Sequence, residues 1–168
     1  MADKELEQLH SNFFGPSPGE VKDRPAQPLD PDDEPLERIA EAHRRVADVI
    51  EGFDKLVEKA EPSFRPVAEA FLIMHRRHDR ELAAYLERAG REASEHGTFF
   101  GTVNRALIEA RSWIENVDEG VMDRVKEGEK HVLEGYAEAR DIGQTVEANA
   151  MLRQHMADID ALLVKHAT

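Results

Sequence analysis

From Leu36 to Ala60 the chain reads LERIAEAHRRVADVIEGFDKLVEKA, and within it Leu36, Ile39, His43, Val46, Ile50, Phe53, Val57 and Ala60 alternate three and four residues apart. That spacing stacks them on one face of an α-helix, because side chains three and four positions apart sit above one another. Asp33 or Glu34 beside Pro35 supplies the start of this helix, and Pro62 supplies its stop.

The same period continues outward. Ala68, Phe71, Leu72, His75, Leu82, Leu86 and Ala89 mark a second helix from about Ser63 to Ala89, with Pro66 tolerated in the first turn and Gly90 as terminator. A glycine-bounded turn, Glu95 to Gly101, leads into a shorter helix ending near Asn116 that carries Val103, Leu107, Ala110 and Ile114 and reads as a crossover. Two further helices follow, one with Met122, Val125, Glu129, Val132, Tyr136 and Ala139, the other with Ala148, Leu152, His155, Ile159 and Leu162, separated at Gly143. The fold expected is all-α: four main helices of about 20 to 28 residues, antiparallel in pairs.

An internal match sharpens that layout. Val49-Ile50-Glu51-Gly52-Phe53 agrees in type at every position with Val132-Leu133-Glu134-Gly135-Tyr136, and the following helices align Leu72 with Leu152, His75 with His155 and Leu82 with Leu162. The chain reads as two related helical hairpins joined by a crossover helix.

This layout resembles the ferritin-like superfamily, two antiparallel helix pairs with a long connection folded into one bundle. More closely, Asp48-x-x-x-Gly52-Phe53, Gly97-x-x-x-Gly101 with Arg105, and Gly128-Glu129 with Tyr136 resemble an uncharacterised bacterial family of ferritin-like four-helix-bundle proteins, a domain of unknown function. The resemblance covers residues 36–168 and implies a fold without an activity, since one fold hosts many chemistries.

Residues 1–35 are different in kind. Pro16, Pro18, Pro25, Pro28, Pro31 and Pro35 fall there with the acidic run Asp30-Pro31-Asp32-Asp33-Glu34, which forbids a continuous helix or an interior strand. The segment reads as an acidic, Pro-rich tail in which Phe13-Phe14 is the main apolar anchor, expected to dock between helices of a second copy in a symmetric dimer.

Composition narrows the function. Twenty-two basic against 35 acidic side chains give a net charge of −13, which repels nucleic-acid phosphates and anionic lipid. With no cysteine, thiolate metal sites, iron–sulfur clusters and cysteine nucleophiles are excluded. The first residues show neither a basic region nor an apolar core of a signal peptide, so a cytoplasmic location is expected. No glycine-rich phosphate loop or Ser-His-Asp arrangement can be placed on a strand–turn–helix, so neither a hydrolase nor a nucleotide-dependent activity is supported.

What chemistry remains lies on the helical stripes. The ferritin-like resemblance implies a di-iron ligand set with one carboxylate from each of two helices and a Glu-x-x-His pair from each of the other two. Here Glu129, seven residues before Tyr136, takes one carboxylate position, but Val46 stands seven before Phe53 where its counterpart belongs. The paired positions hold His75-x-x-His78 and His155-x-x-Asp158, and neither is Glu-x-x-His. With His43 one turn from Val46, the candidate metal ligands are His43, His75, His78, Glu129, His155 and Asp158, a nitrogen-rich set that suits zinc, copper, nickel or ferrous iron better than a ferroxidase pair.

The competing reading is a metal-free network. Burying His75, Glu129 and His155 without partners would cost roughly 1–3 kcal/mol each, so they should meet, with Glu129 accepting from both imidazoles. Two functions follow: a non-enzymatic bundle that works by self-association or protein binding with no cofactor, and a variant ferritin-like protein that stores, senses or uses a transition metal.

Overall fold

The computed structural model describes residue 30, residues 33–91 and residues 121–166. They form four helices, α1 (Glu34–Lys59), α2 (Arg65–Arg88), α3 (Val121–Asp141) and α4 (Val146–Lys165), and among the described residues there is no strand. The Pro-rich tail with its Phe13-Phe14 anchor, the Gly97 to Arg105 motif and the crossover helix expected up to Asn116 lie outside the described residues.

The helix ends follow local chemistry. Asp33, not Glu34, caps α1: its side chain accepts from the Leu36 backbone N–H at 3.1 Å, and Pro35 occupies the first turn, where its missing N–H costs nothing. Thr145 caps α4 in the same way, its Oγ1 3.1 Å from the Ala148 N and also 2.8 Å from the Tyr85 hydroxyl. Gly90 and Gly143 take φ of 77° and 78°, the left-handed conformation in which a side chain would be strained.

α1 packs on α2 and α3, and α4 packs on the same two helices. Every neighbouring pair is antiparallel. Between α1 and α2, His43 reaches Asp79 and Phe53 stacks on Phe71; between α1 and α3, the Gln144 side chain donates to the Pro35 carbonyl and Arg45 to Glu138. Between α2 and α4, Arg88 pairs with Glu147, His155 with Glu81, and Phe71 faces His166. The diagonal helices α2 and α3 therefore run in the same direction, and Arg88 and Val121 lie at opposite ends of the four helices.

The periodic residues fill the interior. Ile39, Val46, Phe71, Leu82, Leu86, Val132, Leu152 and Ile159 are fully buried, each contributing on the order of 1.5–3 kcal/mol of transfer free energy. The internal match holds in space: the Phe53 and His75 rings are 5.5 Å apart, and their counterparts Tyr136 and His155 are also 5.5 Å apart. The two halves differ at the α1–α3 seam. Arg45 lies over Gly135 so closely that a Cβ there would meet its Cδ at 2.9 Å, whereas a Cβ on Gly52 would meet nothing within 4 Å.

Candidate functional site

α2 turns His75, His78 and Leu82 inward at helical spacing, α3 turns in Glu129 and Tyr136, and α4 turns in Leu152, His155 and Ile159. The polar members stack into a column through the centre. The His78 and His155 rings lie nearly parallel, 3.9 Å between centroids, with His75 edge-on to His78 at 5.9 Å and Tyr136 beside both His78 and His155. Glu129 and all three imidazoles are fully buried.

Each imidazole points Nε2 at a carboxylate: His75 at Glu129 Oε1 (2.8 Å), His155 at Glu81 Oε2 (2.7 Å) and His78 at Asp158 Oδ2 (3.3 Å). A carboxylate only accepts, so Nε2 carries the proton in all three, and in His78 and His155, which burial keeps neutral, Nδ1 carries the lone pair. The Tyr136 hydroxyl donates to Nδ1 of His78 at 3.3 Å. The Nδ1 of His75, the Nδ1 of His155 and Oε2 of Glu129 have no hydrogen-bond partner among the described residues. A buried polar atom left bare costs about 1–3 kcal/mol.

Burial, reinforced by His155, His75 and Arg77, pushes His78 down to about 2, and burial also holds His155 low despite the pull of Glu81. Both are neutral at pH 7. Burial, with Glu129, Glu81, Asp158 and Asp79 adding to it, raises Tyr136 well above its ordinary value of 10.0, so its hydroxyl keeps the proton it donates. A continuous hydrogen-bonded path thus runs from Tyr136 through His78 to Asp158, which Arg77 also holds and whose side chain is 21% exposed.

Of the six residues singled out from sequence, His75, His78, Glu129 and His155 form the column and Asp158 closes it at the surface. His43 stands apart, on Asp79 at 2.9 Å. The expected bond from His155 to Glu129 is replaced: Glu129 takes only His75, and His155 turns outward to Glu81. Val46 is fully buried and leaves His155 without the carboxylate that His75 finds in Glu129. Sequence periodicity missed Glu81 and Asp79, which lie on the outer side of the stripe; the only signal was the three-residue step from His78 to Glu81.

The donor chemistry does not fit a metal pair. Among the described residues no group of three or more His, Asp or Glu is placed to hold a metal ion. Stacked imidazoles direct their in-plane lone pairs side by side rather than at one point, and a metal would have to break the His75–Glu129 bond and unstack His78 from His155.

The family model "Domain of unknown function (DUF2383)" matches residues 34–141, from α1 through α3, and stops before α4. No curated protein and no solved structure matches the chain.

Proposed function

The chain belongs to the DUF2383 family of domains of unknown function, and from that premise we propose that it is a ferritin-like four-helix bundle, with its long connection between α2 and α3, serving as a non-enzymatic association module. One observation carries this reading: the Nε2 of each central histidine is committed to a carboxylate, so the polar centre is a hydrogen-bonded network that fixes helix register. The parallel run of α2 and α3, which a long crossover would join, supports the ferritin-like topology.

A variant transition-metal site is the second reading, favoured by the three buried atoms without partners, two imidazole nitrogens and a carboxylate oxygen, which are the atom types zinc or iron takes. Titrating metal-stripped, tag-free protein with zinc and with ferrous ion separates the two. The association reading expects equal, weak binding in wild type, His75→Ala and His155→Ala. Tight binding lost in both variants would replace it with the metal reading.

A further inference from the structure

Among the described residues three large apolar side chains are exposed, Ile73 (68%), Val146 (61%) and Val164 (58%), and two of them sit on the outer face of α4. Val146 and Val164 are five turns apart at about 3.6 residues per turn, hence at the same azimuth some 27 Å apart. Between them Ala150, Arg153, Ala157 and Asp160 complete an alternation of four and three residues, the spacing of a coiled-coil seam. This seam faces away from the inward row of Leu152, His155, Met156 and Ile159.

We infer that this face of α4 is a homodimer interface, taken by α4 of a second copy in the antiparallel sense. The inference rests on the association reading above and names its partner. An antiparallel two-fold centred between Arg153 and Ala157 sets Val146 of each copy on Val164 of the other, so both exposed valines are covered at once. It also brings Arg153 of each copy within a turn of Asp160 of the other. Among the described residues neither side chain has an ion-pair partner within its own copy, so the seam's charges are self-complementary. A parallel pairing would instead face Arg153 with Arg153 and Asp160 with Asp160. The alanines permit close approach of the two helices. Charge also selects this face: in a chain of net −13, the seam balances one arginine against one aspartate, so two copies can meet there without the repulsion met elsewhere. Ile73 lies at the Val164 end of the bundle, since Phe71 of α2 is level with His166 of α4.

The test measures the mass of the full chain by light scattering and sedimentation for wild type, Val164→Glu, Arg153→Glu and the charge swap Arg153→Glu/Asp160→Arg, with circular dichroism as a check on folding. The expected results are a dimer of twice 19.0 kDa for wild type, a monomer for both single variants, and a dimer again for the swap. A wild-type dimer unaffected by either single variant overturns this interface and leaves the association reading standing. A wild type that stays monomeric at the highest concentrations overturns the interface and removes self-association from that reading.

Discussion

Lowering the pH from 7 to 5 should destabilise the bundle through His78, and replacing His78 should remove that part of the loss. The group is fully buried between His155 and Tyr136 and held neutral down to about 2, while its ordinary value is 6.5. A histidine depressed in the folded state takes up its proton only on unfolding, so the stability it protects is complete above pH 6.5 and falls as the pH drops from there toward 2. For an unfolded value of 6.5, the loss between pH 7 and 5 is about 2 kcal/mol, or about 4–8 °C in Tm for a protein of this size. His155 and the outer His131, both held low chiefly by burial, act in the same direction. Asp48 acts against them: burial, then Glu51 and Glu41, raise it from 3.8 to about 6, so it favours the folded state as the pH falls through that window, weakly because it is half exposed. The measurement is therefore a difference. Tm is followed from pH 7 to 5 for wild type and for His78→Phe, whose ring keeps the stack on His155. The variant should be less stable at pH 7, having lost the Tyr136 and Asp158 bonds, yet lose about 2 kcal/mol less on acidification. An acid loss of the same size in both would refute the assignment of that loss to His78.

Two further outcomes can be checked by thermal unfolding. Gly52→Ala should stabilise by about 0.5–1 kcal/mol, the helix-propensity gain at a position with open space around it, whereas Gly135→Ala should fall below it because its Cβ displaces Arg45 from Glu138; a Gly135→Ala protein as stable as Gly52→Ala would show that the close approach carries no cost. Thr145→Ala should lose about 1–2 kcal/mol by uncapping α4 and stranding the Tyr85 hydroxyl, and Tyr85→Phe in the Thr145→Ala background should recover part of it.

The fold was legible because each boundary has a local cause: Pro35 and Pro62 bracket α1, Gly90 ends α2, and Gly143 turns α3 into α4, each within three residues of the observed ends. The inward positions of His75, Glu129 and His155 were legible for the same reason, since period 3.6 fixes which face a residue occupies. Their partners were not. Glu81 and Asp79 lie outside the apolar stripe, and a glutamate long enough to reach over a helix edge leaves no periodic trace. The stack of His78 on His155 depends on the register between α2 and α4 and on side-chain rotamers, neither of which spacing encodes. His43 shares a face with Val46 and so reads from spacing as one of the seam group, but its level on α1 places it against Asp79 instead.

The near-duplication of the two hairpins carries a hazard during assembly, because a hairpin that resembles its partner can pair with its own kind from another chain. α1–α2 docked on a second α1–α2 would bury much the same apolar surface as the correct pairing. It would, however, set Val46 where Glu129 belongs, leaving His75 facing a methyl group and its Nε2 proton without an acceptor, at a cost of about 1–3 kcal/mol per copy. This difference in polarity between the two halves thus lets each hairpin distinguish its complement from its twin.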